Sequence, residues 1–114
     1  MCDKAVLDEI TSRVCAAAKE VLGDKLEKVI LFGSYARGDY DEESDIDIMI
    51  IADIALEDKT AIRQKIHEVA GDLSLEYDVL VAFCMTCSDR FHKYKDDLGF
   101  YINVQKDGVL LYAA

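Results

Sequence analysis

Residues 33 to 50 read GSYARGDYDEESDIDIMI, and the organisation of the rest of the chain follows from this stretch. Six carboxylates (Asp39, Asp41, Glu42, Glu43, Asp45 and Asp47) fall within nine positions just behind a Gly-Ser pair. Like charges that close repel, so the crowding does nothing for a fold by itself. The segment DIDIMII, 45 to 51, reads as a strand. On a strand alternate side chains share a face, so Asp45 and Asp47 point one way while Ile46, Ile48 and Ile50 point into the other layer. Two carboxylates so spaced sit roughly 7 Å apart at Cα, near enough for their oxygens to converge on a cation. Magnesium suits such a pair, because it takes few protein carboxylates and completes its octahedron with water and phosphate oxygens. A bound cation would relieve the repulsion. Asp39, Asp41, Glu42 and Glu43 read as a solvated loop.

Upstream, LEKVILF (26 to 32) is a short strand rich in β-formers that runs into Gly33-Ser34. Gly33 carries no side chain to keep a phosphate from the backbone, and Ser34 brings a hydroxyl. SYAR after it can start a turn of helix whose N–H groups face an anion. Arg37 is the natural cation nearby. Downstream, Ile62, Ile66, Val69, Ala70 and Leu73 predict a helix over about 57 to 73. YDVLVAF (77 to 83) then reads as a third strand with Asp78 at its start. A strand–helix–strand crossover favours a parallel pair, which would gather Asp45, Asp47 and Asp78 at one end of the sheet. The first strand reaches the second through a short connection and should run antiparallel, bringing Gly33 and Ser34 to the same end. A phosphate cradle facing metal-binding carboxylates points to metal-dependent phosphoryl or nucleotidyl transfer.

Elsewhere, Val6, Ile10, Val14, Ala17 and Val21 recur at helical steps, predicting a helix over 4 to 22 closed by Gly23. Phe91, Tyr94, Leu98, Tyr101 and Ile102 trace one last helix with Gly99 inside it, and GVLLYA closes the chain as a strand. The expected order is α-β-β-α-β-α-β: an α/β (α+β) fold, a mixed sheet of about four strands with helices packed on it. With 114 residues, no proline and no repeat, residues 1 to 114 read as one domain. A hydrophobic content of 52% beside a net charge of -10 marks a globular chain. That acidity argues against direct nucleic-acid binding, since phosphates demand Lys and Arg, and suits a basic protein partner. No apolar run reaches the roughly 18 residues of a membrane span, and MCDKAVLDE lacks a basic region followed by an apolar block; a cytoplasmic protein is expected.

Other motifs carry less. Cys84 and Cys87 form a CxxC, but Cys2 and Cys15 offer no second knuckle for zinc, so the thiols read as buried or idle at a strand-to-helix junction. A calcium loop is excluded, because DxDxDG is absent. His67 and His92 have no ligand-like spacing with the carboxylates. Tyr35 and Tyr40 suit either stacking on a base or packing.

Taken together, Gly33-Ser34, ten residues, Asp45-x-Asp47 and then Asp78 in an apolar strand resemble the nucleotidyltransferase superfamily of DNA polymerase beta. The form GSYARGDYDEESDIDIMI and the ending FYINVQKDGVLLY are similar to its minimal nucleotidyltransferase (MNT) branch. The resemblance implies that Asp45, Asp47 and Asp78 hold two divalent ions, Mg²⁺ or Mn²⁺, which bind the triphosphate of ATP, with Gly33, Ser34 and Arg37 on the phosphates. It implies further that the third carboxylate draws the proton from the attacking hydroxyl. Members that modify antibiotics or RNA carry an added acceptor-binding domain, for which this chain has no room. MNT proteins are paired with a helical HEPN toxin, and the resemblance implies transfer of AMP from ATP to a tyrosine of that partner. Two alternatives stay open: an antitoxin acting by contact alone, and transfer to a small molecule at a subunit interface.

Overall fold

The structure, a computed structural model, describes residues 3–114; Cys2 lies outside them. Helix α1, Lys4–Leu22, is capped by Asp3, whose side chain accepts from the Val6 amide at 2.9 Å. Strand β1, Leu26–Phe32, leads into the short helix α2, Ser34–Arg37, and then into β2, Ile46–Ala52. Helix α3, Lys59–Tyr77, precedes β3, Val81–Cys87; two helices, α4 (Ser88–Tyr94) and α5 (Gly99–Asp107), and the strand β4 (Val109–Ala113) follow.

The strands form one mixed sheet in the order β3-β2-β1-β4. β1 is antiparallel to both β2 and β4, and β2 is parallel to β3, as the connections require. The α+β class and the four-stranded mixed sheet are those expected. β2 is buried on both faces, which explains its nearly continuous apolar run. Ile46, Ile48 and Ile50 pack into the core that includes Ile10 and Val14 of α1 and Ile66 and Leu73 of α3. Met49 and Ile51 meet Phe91 of α4 and Tyr101 and Val104 of α5 on the other side. Each fully buried aliphatic side chain stabilises the fold by about 1.5–3 kcal/mol, so β2 is the chief anchor. The single residue of this strand that breaks the apolar run, Asp47, is therefore held in place on both sides. Among the described residues no helix is long and apolar enough to cross a membrane.

Three expectations need correction. The third strand begins at Val81, four residues later than the pattern predicts, because α3 continues through Tyr77. Ser74 ties that helix end to the strand: its hydroxyl donates to the Ala70 carbonyl at 2.8 Å and accepts from the Val81 amide at 2.9 Å. Asp78 is consequently not a strand residue. It caps α3 in the left-handed conformation, at φ 54° and ψ 44°, with its amide donating to the Ser74 carbonyl. Aspartate tolerates that conformation better than most residues do. The last helix, finally, is two: the chain turns after Tyr94, whose carbonyl accepts from the amides of Asp97 and Leu98 at 3.0 Å. Gly99 opens α5 instead of lying inside a longer helix.

Candidate active site

The site begins where β1 ends. Phe32 pairs across the sheet with Asp47, so the residue after it, Gly33, leaves the strand beside that carboxylate. Gly33 has φ 77° and ψ −157°, a backbone conformation that L side chains rarely adopt. A Cβ built there would stand 2.5 Å from the Asp47 Oδ2. The Gly33 carbonyl accepts from the amides of Ala36 and Arg37, each at 3.1 Å, and so starts α2. Gly38 ends the helix in the left-handed region at φ 87°. Below it, Tyr35 is buried and stacks on Tyr40 with ring centroids 4.4 Å apart. Packing accounts for both rings.

The acidic loop is more ordered than a solvated run. Asp41 Oδ1 accepts from the Glu43 amide at 2.9 Å and from the Ser44 hydroxyl at 3.2 Å, while the Ser44 hydroxyl accepts from the Asp41 amide at 2.9 Å. This Asx-type turn fixes the direction in which the chain enters β2, and Asp-x-x-Ser was its signature in the sequence. Arg37 Nε donates to Asp39 at 3.2 Å.

Asp45 is exposed just ahead of β2, and Asp47 is half-buried on the strand. Burial raises the Asp47 carboxyl above the usual carboxylate range, the charge of Asp45 raises it further, and Arg37 offsets part of the rise. Both neighbours are thus close enough to be felt, and a divalent cation between the two carboxylates would remove the strain. Gly33, Asp45, Asp47 and Arg37 form one neighbourhood.

Asp78 does not join it. The β2–β3 register sets Ile46 beside Val81 and Asp47 beside Ala82, and Asp78 is exposed at the helix cap three residues before that pairing begins. Among the described residues no group of three His, Cys, Asp or Glu side chains is placed to hold a metal ion. Three strand residues, Ala82, Cys84 and Thr86, share the Asp47 face in β3, with Ala82 beside Asp47 itself. Burial, with a smaller push from Asp47, raises the Cys84 thiol to about 11. Being three apart on a strand, Cys84 and Cys87 point to opposite faces, so they are neither a chelating pair nor a disulfide.

On the other flank of Gly33 lies a pocket of about 240 Å³ between Phe32, Arg37, Phe100, Asn103 and Asp107. It is smaller than the roughly 300–1,000 Å³ of sites that enclose a whole drug-sized ligand, and so suits part of one. Phe100 meets Phe32 edge-on at 5.5 Å. No sequence pattern pointed to this pocket, because its two walls come from segments remote in sequence.

Gly33→Ala tests the neighbourhood. Forcing a side chain into this conformation is expected to cost about 1–3 kcal/mol. The methyl group would also displace the Asp47 carboxylate, and a misplacement on the order of 1 Å can lower a rate about 100-fold. A thermal melt and a nucleotidyl-transfer assay would read the two effects separately. Unchanged transfer would show that Gly33 and Asp47 do not act together.

The family model described as nucleotidyltransferase domain matches residues 13–110. Among curated proteins, the chain is 38% identical over 96 residues to a Methanocaldococcus jannaschii protein provisionally named as a protein adenylyltransferase, covering 84% of this chain and 88% of that one. It is 53% identical over 64 residues to a second such protein of the same organism, covering 54% of this chain and 61% of the relative. A third is 38% identical over 77 residues, covering 66% of this chain and 48% of the relative. The aligned stretch therefore spans less than two thirds of the second and third. In fold, the chain is similar to a toxin–antitoxin structure with AMP-PNP, with a TM-score of 0.61 and 23% identity over 91% of this chain and 73% of that chain. A complex of tri-AMPylated Shewanella oneidensis HEPN toxin with MNT antitoxin gives a TM-score of 0.56 and 20% identity over 94% and 72%.

Proposed function

The chain belongs to the nucleotidyltransferase domain family, and from that premise we propose that it is a metal-dependent adenylyltransferase, transferring AMP from ATP to a tyrosine hydroxyl of a HEPN-type toxin and so acting as its antitoxin in the cytoplasm. The observation that carries this reading is the contact between the Gly33 turn and the Asp47 carboxylate, whose Oδ2 occupies the space of a missing Cβ. Such an approach sets an anion-accepting backbone directly against a metal-binding side chain.

The residues fit a divalent cation of the magnesium kind. Asp45 and Asp47 supply hard oxygen ligands, and one or two carboxylates plus phosphate oxygens are what that ion takes. When bound, the ion supplies charge neutralisation on the triphosphate and holds it in place. The chain's own residues do the rest. Gly33 gives the phosphates access to the backbone, Ser34 donates its hydroxyl, and Arg37 meets negative charge at the mouth of the adjoining pocket. That pocket takes part of the nucleoside, with Phe100 as a stacking surface. The acceptor oxygen attacks the α-phosphorus as the bond to pyrophosphate breaks. Pyrophosphate departs, and the hydroxyl proton passes to a carboxylate or to water. The net charge of -10 steers a basic partner toward this surface.

Neutralisation by contact alone is the second reading, and it draws support from the metal site itself, which has a carboxylate pair where three were expected. Intact-mass measurement of the partner, co-expressed with this chain, separates the two. Addition of one or more AMP groups to the partner is expected. A partner that is neutralised yet unmodified would leave contact as the mechanism.

A further inference from the structure

We propose that this chain by itself holds one divalent ion, between Asp45 and Asp47, and that Ala82 stands where a third carboxylate would complete a site for two. The proposal rests on the metal-dependent reading above and departs from the triad that the sequence suggested. The register carries it. Asp47 lies beside Ala82 in the parallel pair β2–β3, so their side chains share a face. Any carboxylate on the neighbouring strand that is to meet Asp47 across the sheet must therefore come from position 82. The next β3 side chain on that face, Cys84, packs against the apolar cluster that includes Phe91 and Tyr101, surroundings that disfavour a charged ligand. Asp78 is the only carboxylate in the chain segment entering β3, and the Ser74 hydrogen bonds pin it to the end of α3.

A two-ion site uses the second ion to stabilise the oxygen on the other side of the displacement. With one ion, that charge falls to Arg37 or to a group supplied by the partner. Position 82 itself tolerates a charge. It is half-buried on β3, the edge strand of the sheet, where a carboxylate stays in contact with water.

Protein-bound Mn²⁺, counted by electron paramagnetic resonance at saturating AMP-PNP and corrected for the nucleotide alone, tests this without any turnover. One ion per chain is expected for the wild type and for Asp78→Asn. Ala82→Asp is expected to hold two, and Ala82→Asn, of the same size without the charge, to hold one. Two ions in the wild type, falling to one in Asp78→Asn, would overturn the proposal and return Asp78 to the site. No protein-bound ion in the wild type would overturn it as well, and with it the metal-dependent reading on which it rests. Failure of a folded Ala82→Asp to gain an ion would refute the assignment of position 82. Should that variant not fold, the wild-type and Asp78→Asn counts still decide whether the chain holds one ion or two.

Discussion

Asp47→Asn is expected to lower nucleotidyl transfer by at least about 100- to 1,000-fold, the range seen when one well-placed electrostatic contact to a transition state is lost. The substitution keeps the side chain's shape and hydrogen-bonding size but removes the charge on which a divalent ion depends. Its effect on stability should have the opposite sign. Burial and the charge of Asp45 raise the Asp47 carboxyl above its ordinary value of 3.8 in the folded chain. A group whose folded value is raised binds its proton more tightly in the folded state. Its contribution therefore favours folding once the proton is on, and weakens folding as pH rises through the raised value. Metal-free wild type should thus gain stability from this group as pH falls through the window above 3.8. Asp47→Asn should lack that response and be at least as stable at neutral pH. Divalent cations with ATP should stabilise the wild type and not the variant. Melts at two pH values, with chelator and with Mn²⁺–ATP, read the stability effects, and a labelled-ATP transfer assay reads the loss of activity. An Asp47→Asn protein that melts much earlier yet transfers nucleotide normally would show that the carboxylate serves the fold alone.

Much of this arrangement was legible in the sequence, for reasons visible at particular residues. The alternation at Asp45-Ile46-Asp47-Ile48 fixed both the strand and the face of each side chain, since a period of two leaves little freedom once one face must be buried. Gly33 announced a backbone position without a side chain, and the close approach of Asp47 is the physical requirement behind it. The antiparallel β1–β2 pair and the parallel β2–β3 pair followed from connection length and the crossover.

What could not be read was the phase of the third strand. YDVLVAFCM is apolar nearly throughout, and such a run does not reveal where a helix ends and a strand begins. The decision is made by Ser74, a residue ahead of the run, whose two hydrogen bonds close α3 and position Val81. Shifted by four residues, Asp78 moves from a strand start to a helix cap, and Ala82 takes the place beside Asp47. The same limit applies to the last helix. Phe91, Tyr94, Leu98 and Tyr101 keep helical spacing, yet the chain turns at Lys95-Asp96-Asp97, where acidic side chains and the following Gly99 weaken a continuous helix. Of the five periodic residues, only Phe91 and Tyr101 are buried, while Leu98 and Ile102 remain exposed.

Ile48→Ala should separate fold from chemistry in the other direction. Ile48 is fully buried, one residue from Asp47, and it points into the α1–α3 core on the opposite face of β2. Its register partners are Leu31 in β1 and Phe83 in β3, so truncation opens a void at the centre of the sheet, where backbone pairing on both sides prevents collapse. The expected cost is about 2–5 kcal/mol, as for other buried aliphatic truncations. In a domain of this size each kcal/mol lowers the melting midpoint by roughly 4–8 °C. The reacting groups on the far face would keep their places, because the strand is still held by hydrogen bonds from β1 and β3 and by Met49 and Ile51 packed under α4 and α5. Transfer per folded molecule, measured well below the midpoint, should then stay within a few-fold of wild type. Urea melts and labelled-ATP transfer to the co-expressed partner give both quantities on one preparation. If Ile48→Ala lost transfer as completely as Asp47→Asn while losing little stability, the two faces of β2 would not be divided between core and chemistry, and the placement of Asp47 by the apolar alternation would be wrong.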